Sequence, residues 1–312
     1  MARRIGLTLV VALLAAASAG AQANRFLGKW NITATTPTGS YPYWLEVREE
    51  NGQLIGYFLN RSGSVTKLPE IAIEGQSLVF SVGLNKDKPE PVKPVHRARI
   101  ENGKLVGELT TATGTVPWVG VRPPAWGTQD ANAPHKRGAP VALFNGRDLS
   151  GWRFQFADRP GGWSVTDGVL TNEKDANNII STRTFDNFRL VVEYKLEPKS
   201  NSGIYLRGRY ELQVLDDAGT EPVATGHMGI YSRVKPSVNA GKPAGEWQTA
   251  DITLVGNRVT VLLNGTKVHD NAVIEGITGG ALDSDEGAPG PIMIQGDHSR
   301  IWIRKIELTP IR

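Results

Sequence analysis

Of the chain's four Asn-Gly pairs, Asn51-Gly52, Asn102-Gly103 and Asn264-Gly265 each stand between short runs in which apolar and polar residues alternate. Both central residues of a type I′ turn need positive φ, which Asn and Gly adopt most readily. The pair is therefore the strongest local signal for a tight β-hairpin. Two of the pairs belong to an internal echo. Glu50 to Gly56 reads Glu-Asn-Gly-Gln-Leu-Ile-Gly, and Glu101 to Gly107 reads Glu-Asn-Gly-Lys-Leu-Val-Gly. No long stretch holds a 3.6-residue period, and 35 glycines and 19 prolines punctuate the chain. That combination predicts an all-β protein.

Composition divides the chain. A leader comes first: Arg3 and Arg4 precede an apolar run from Leu7 to Ala17, and Ala21-Gln22-Ala23 supplies small residues for cleavage. This order predicts a secretory signal peptide over 1–23, because the apolar run is too short to span a bilayer. With no cysteine in the chain there is no lipoprotein anchor, so the expected destination is the periplasm or the medium. Residues 24–122 carry the hairpin echo and predict a small antiparallel barrel or sandwich. The stretch 123–140, rich in Pro, Ala, Gly, Asn and Asp, reads as a linker. Residues 141–312 alternate throughout and suit two packed sheets.

Several functions fall away. The net charge is only +4, and Arg3 and Arg4 leave with the leader, so no basic stripe points to nucleic acid. No second long apolar stretch predicts a membrane span. The absence of cysteine removes disulfides, thiol nucleophiles and thiolate metal sites together. There is no Gly-x-Ser-x-Gly elbow, phosphate loop, dinucleotide fingerprint or His-Glu-x-x-His.

Period-two geometry sorts the remaining polar groups. Phe188 to Leu196 places Glu193 and Lys195 opposite an apolar even-numbered face. In Ser202 to Asp216, broken at Gly208, Tyr205 and Arg207 share one face, and Glu211 and Gln213 share another. If these runs neighbour each other, Glu193, Arg207, Glu211 and Gln213 gather on one sheet face. That face is either a site or a solvated exterior. His298 lies beside Asp297 in a loop before the last strand, where a histidine serves as general base, metal ligand or solvated residue. His227 sits in a turn-like segment, and His269 is expected to be exposed. Tyr41, Tyr43 and Trp44 read as core or rim aromatics of the first block, with a sugar-stacking surface as the alternative.

A series of ordered motifs then carries a resemblance. Leu143 to Trp152 reads Leu-Phe-Asn-Gly-Arg-Asp-Leu-Ser-Gly-Trp, and Trp163 to Leu170 reads Trp-Ser-Val-Thr-Asp-Gly-Val-Leu. Asn201 to Gly208 and Tyr210 to Asp216 follow. Gly245-Glu246-Trp247-Gln248, Leu263-Asn264-Gly265, and Ile294 to His298 with Ile303 to Ile306 complete the series. In this order they resemble the 3-keto-disaccharide hydrolase family over essentially all of 141–312. The closing Ile-Arg-Lys-Ile stands where the family usually has Phe-Arg-Asn-Ile, and Ser299 where glycine is common.

The resemblance implies a concanavalin-like jelly roll and cleavage of glycosides already oxidised to a ketone at C3. Such a ketone acidifies the C2 proton, so a base forms an enolate, the C1 substituent leaves, and water adds back. The site then needs a base, an enolate stabiliser and an acid for the leaving oxygen. His298 is the first candidate for proton transfer, because a histidine near its ordinary pKa works in both directions at neutral pH. Glu193 and Glu211 are candidates for acid–base work or for a divalent metal. Arg207, Gln213, Tyr205, Trp247 and Gln295 are candidates to hold the sugar. Carboxylates with one imidazole suit Ca²⁺, Mn²⁺ or Zn²⁺ alike, and the sequence does not choose. The competing expectation is a non-catalytic sugar-binding protein using the same concave face. It would be favoured by His298 standing more than roughly 10 Å from both Glu193 and Glu211, since proton transfer needs hydrogen-bond reach.

The leader motif predicts that the exported protein starts at Asn24 or within a few residues of it. N-terminal sequencing checks this, and a mature chain starting at Met1 or Ala2 contradicts it.

Overall fold

The computed structural model describes residues 24–83 and 93–312; the expected leader, 1–23, lies outside the described residues. The chain forms two compact units. One comprises the described residues up to Asn60 with Val65–Pro123, the other Arg61–Ser64 with Pro124–Arg312.

Among the described residues, the first unit is a nine-stranded antiparallel meander. Its first strand, Gly28–Thr36, pairs with both Gly39–Glu50 and the last strand, Gly114–Val121. The edges are Thr66–Lys67 and Glu70–Glu74. Glu70–Glu74 also lies against Gln53–Leu59, so the sheet curls into a small barrel. Alternate residues point inward, and Trp30, Ile32, Leu45, Phe58, Phe80 and Trp118 fill the interior. His96 belongs to this core, stacked on Phe80 at 4.4 Å. Burial lowers its pKa to about 3, so it is neutral packing material. Trp44 is also buried, with Tyr41 and Tyr43 partly so.

The second unit is a sandwich of two antiparallel sheets with the expected concanavalin-like jelly-roll architecture. The larger sheet has eight strands among the described residues, with Asn187–Leu196 paired between Ile301–Ile311 and Gln248–Val255. The smaller sheet runs in the order Trp152–Phe154, Ile179–Ser181, Met293–Ile294, Asn201–Leu206, Tyr210–Leu215. Phe188, Leu190, Val192, Tyr194 and Leu196 of the larger sheet are almost completely buried. So are Ile179, Ile204, Leu212, Val214 and Ile294 of the smaller. These two sets are the facing layers of the core, and each such side chain contributes about 1.5–3 kcal/mol by leaving water.

The stretch expected to be a linker, 123–140, is no free tether: from Pro124 onward it belongs to the second unit. Ala131 donates its N–H to Asn271 Oδ1 at 2.9 Å. Asn132 donates to Asp270 at 2.6 Å and accepts from Thr260 Oγ1 at 2.8 Å. Gly138 N–H reaches Pro310 O at 2.8 Å. Composition marks such a segment as polar and irregular, but these bonds depend on partners far along the chain.

The three Asn-Gly turns form as expected. Asn51, Asn102 and Asn264 have φ of 54°, 49° and 52°, and their glycines 74°, 76° and 84°. Asn264 also ties the turn down, accepting from Thr249 N–H at 3.0 Å and donating to Ala240 O at 2.9 Å. Asn264→Ala is expected to cost about 1–3 kcal/mol, through left-handed strain and two lost hydrogen bonds. Asn51→Ala should cost less. Urea denaturation of both variants checks the ranking.

Candidate functional site

The outer face of the smaller sheet carries a cleft of about 510 Å³. Strand register decides what lines it. Gly203 sits directly opposite Gln213 on one neighbouring strand. On the other side, the pairs Ile204–Ile294 and Tyr205–Met293 carry the register on to Gln295, whose N–H donates to Gly203 O at 2.9 Å. Gly203 therefore leaves a notch between two glutamines. A Cβ there would fall 2.5 Å from Glu211 Oε1, so the Glu211 carboxyl occupies the space the missing side chain vacates. Ile180, Tyr205 and Met293 form the apolar floor beside it, with Leu282 packed against them.

Glu211 is 4% exposed. Burial lifts its pKa to about 8; the interaction with the Tyr205 hydroxyl and the charge of His298 oppose the rise, and Asp297 adds to it. At neutral pH this carboxyl therefore holds its proton. Tyr205 is buried too, its hydroxyl 2.9 Å from Gly279 O, and its pKa is raised by burial. His298 faces the same cleft. Its Nδ1 lies 2.9 Å from Asp297 Oδ1, and this bond raises its pKa against the lowering effect of burial. With Nδ1–H donating to Asp297, Nε2 is left as the basic nitrogen.

Two asparagines hold the loop that presents this pair. Asn178 Oδ1 accepts from Gly296 N–H at 2.7 Å and Asp297 N–H at 3.3 Å. Asn172, 1% exposed, donates to Gly296 O and Ser299 O and accepts from Ile301 N–H at 2.8 Å. Gly296 must be small, because a Cβ would meet Asn177 O at 2.5 Å and the Trp163 ring at 2.9 Å. Neither asparagine was singled out from sequence. The only available signal was polar residues at the ends of apolar strands, which fits many turns equally well.

Tyr205, Glu211, Gln213, Gln295 and His298 thus meet in one cleft. Three other candidates do not. Glu193 lies on the outer face of the opposite sheet, ion-paired with Arg304 at 2.6 Å. The expected neighbouring of its strand with the Tyr210–Leu215 strand does not occur, since they belong to different sheets. Arg207 is not on a strand face but in the turn between Asn201–Leu206 and Tyr210–Leu215, with φ of 52°. It is fully buried and donates to Gly256 O at 2.5 Å and Asp186 at 3.3 Å. Trp247 lies beneath Lys195 and Arg304, and does not line the cleft. Among the histidines, His227 is buried, accepts from Leu215 N–H at Nδ1, and lies 2.9 Å from Tyr194 Oη. His269, expected to be exposed, is 4% exposed and bonded to Met228 O at 2.7 Å, because its strand folds under the segment carrying Met228.

A bound divalent metal would need several hard donors converging. Among the described residues no group of three or more His, Cys, Asp or Glu is placed to hold one. The donor set around Glu211 does not fit a protein-held metal of that kind.

The family profile described as 3-keto-alpha-glucoside-1,2-lyase-like domain matches residues 139–309. A 3-keto-disaccharide hydrolase of Bacteroides thetaiotaomicron is 25% identical over 174 residues, covering 43% of this chain. The chain spans 57% of the length of that curated relative. Two crystal structures of candidate glycosyl hydrolases from Parabacteroides distasonis are 28% and 26% identical. They cover 59% and 55% of this chain and 94% and 98% of their own, with TM-scores of 0.46 and 0.44.

Gly203→Ala should push the Glu211 carboxyl out of its notch while leaving the strand paired. Turnover is expected to drop at least tenfold with the melting temperature within a few degrees of the parent. Arg207→Ala should do the opposite, lowering stability by about 2–4 kcal/mol by opening a cavity and orphaning Gly256 O, with activity per folded molecule retained. Thermal melts with turnover measurements on both variants separate the two roles.

Proposed function

The chain belongs to the family of 3-keto-alpha-glucoside-1,2-lyase-like domains, and on that premise we propose that it cleaves 3-keto-glycosides by proton abstraction and elimination. The observation that supports this most is the meeting of two proton-transfer groups in one cleft. Glu211 is held protonated by burial, and His298 is turned by Asp297 to present a basic Nε2. Two titratable groups whose environments give them opposite roles are what acid–base catalysis requires. The matched carboxylate pair of an ordinary glycosidase is not needed, because the ketone itself supplies the activation.

In this reading His298 Nε2 takes the C2 proton, and the C2–H electrons form the C2=C3 enolate. The C3 oxygen takes the charge. As the carbonyl re-forms, C1=C2 closes, the C1–O bond breaks, and Glu211 gives its proton to the leaving oxygen. Water then adds its hydroxyl at C1, and the imidazolium returns a proton to C2. The proton left over from water restores Glu211. The sum is hydrolysis; release before hydration gives the unsaturated sugar. The leader motif supports an exported enzyme, acting in the periplasm or outside the cell.

Incubation of the purified chain with a 3-keto-glucoside and with its unoxidised parent tests the reading. Aglycone release from the ketone, far less from the parent, and solvent deuterium at C2 of the product are expected. Equal cleavage of both contradicts it. Glu211→Gln and His298→Ala should each lower turnover by about 10²–10⁴-fold.

The pH dependence follows from the same groups. Activity should rise as His298 loses its proton above its ordinary 6.5 and fall as Glu211 ionises near 8. Stability has its own signature. Between the ordinary carboxylate range and about 8 the folded protein holds a proton on Glu211 that the unfolded chain has released, so stability declines as pH rises through that window. Denaturant titrations at several pH values should show this slope in the parent and its reduction in Glu211→Gln.

A further inference from the structure

Trp247 has no part in the cleft, yet its surroundings on the outer face of the larger sheet are ordered. Lys195 stands directly opposite Trp302 on one neighbouring strand. On the other side Trp247 immediately precedes Gln248, which pairs with Tyr194. The Lys195 ammonium lies over both rings, 5.0 Å from the centre of Trp302 and 5.3 Å from that of Trp247. Arg304 lies over Trp247 at 4.4 Å, and Arg300 over Trp302 at 5.9 Å. These contacts link Arg300, Trp302, Lys195, Trp247 and Arg304 into one ladder of alternating cations and indoles. Lys242 adds a further cation, its Nζ donating to Trp247 O at 3.1 Å.

The ladder serves neither the core nor the cleft. Tyr194, Leu196, Ile301 and Ile303, which flank Lys195 and Trp302 along their strands, point to the opposite face and are buried. None of the five ladder residues lines the cleft. The charge of the ladder is also not balanced. Of the acids around it, Glu193 pairs with Arg304 at 2.6 Å and Glu307 with Lys305 at 3.4 Å. Glu197 accepts the Arg300 backbone N–H at 3.0 Å, and Glu246 is exposed. Among the described residues, no carboxylate lies within ion-pair distance of Lys195 Nζ, Lys242 Nζ or the Arg300 guanidinium.

Two indoles replace part of the water around the half-buried Lys195, and no counter-charge makes up for it. Such a cation gains from an anion that arrives on its open side. The half-buried rings beside it offer broad apolar surface. A cation next to an apolar plane matches a pyranose ring that carries a carboxylate: the C–H face packs on the indole and the acid pairs with the cation. This face already takes a carboxylate, since Glu193 is bound by Arg304. Several cations spread over two rings suit a chain of such sugars better than a single one.

We propose that the Trp247–Lys195–Trp302 face is a binding surface for a uronic-acid polysaccharide, separate from the cleft. The proposal does not depend on the reaction assigned to the cleft.

Polygalacturonate is the probe, with dextran as the neutral polymer and a dextran sulfate matched to it in charge per sugar. Each is titrated into the full chain and followed by calorimetry and affinity electrophoresis. Polygalacturonate should bind saturably and lose at least about tenfold in affinity from low to high salt, as exposed charges are screened. Dextran should bind far less. Lys195→Met and Arg300→Gln should each weaken binding by about 3- to 10-fold, and Trp302→Ala by about tenfold or more. His298→Ala should bind the polymer as the parent does, because the cleft is not used. Thermal melts show which variants are folded, and the two cation variants carry the test if Trp302→Ala is not. No saturable binding of polygalacturonate, equal binding of dextran, or folded cation variants that bind like the parent would overturn the surface. Tighter binding of the matched dextran sulfate would overturn the choice of a uronate chain. Loss of binding in His298→Ala would put the polymer in the cleft and overturn the separate site.

Discussion

The Glu211 carboxyl lies across the sheet into the space where Gly203 has no side chain, and the rest of the cleft is arranged around that contact. A strand surface normally presents a side chain at every second residue. Removing one leaves a notch whose width is set by the hydrogen-bonded spacing of its neighbours. A carboxyl in such a notch is shielded from water on several sides and keeps its proton. Tyr205 and Asp297 then act on a group whose position is already determined by backbone geometry.

The sandwich supplies rigidity for this at little local cost. The five-stranded sheet buries Ile204, Leu212, Val214 and Ile294 on one face and presents Tyr205, Glu211, Gln213 and Gln295 on the other. Any slip of one residue in register would exchange the two sets and place a carboxyl in the core. The same burial that stabilises the domain therefore locks the register of the cleft. The loop carrying Asp297 and His298 has no such core of its own. It depends on Asn172 and Asn178, which replace strand pairing with side-chain hydrogen bonds.

Buried polar groups in this protein do two different kinds of work. Arg207, His227, His269 and His96 are enclosed, and each packs against or bonds to a carbonyl, a hydroxyl or an aromatic ring, while Arg207 Nε and His96 Nδ1 accept or donate no hydrogen bond. They hold segments in place. Glu211 is enclosed as deeply. Burial alone does not separate structure from site; what distinguishes Glu211 is that it opens on a cleft.

The sequence by itself determined the local geometry of the chain. Asn-Gly between alternating runs favours a type I′ turn and alternation favours strands, and both preferences are met within a few residues. The all-β class, the three hairpins and the ordered family motifs were legible for that reason. His298, Glu211, Gln213, Tyr205 and Gln295 could also be singled out, because polar residues interrupting apolar strands are visible in one dimension. Which strands lie side by side was not. Alternation says that Glu193 and Glu211 each oppose an apolar face, but not that those faces belong to opposite sheets. Only the tertiary structure could put Glu193 on the far exterior, Arg207 in a buried turn and Trp247 beneath two cations. The asparagine anchors were hidden for the same reason: their partners lie more than a hundred residues away, and non-local pairing is set by the packing of whole sheets.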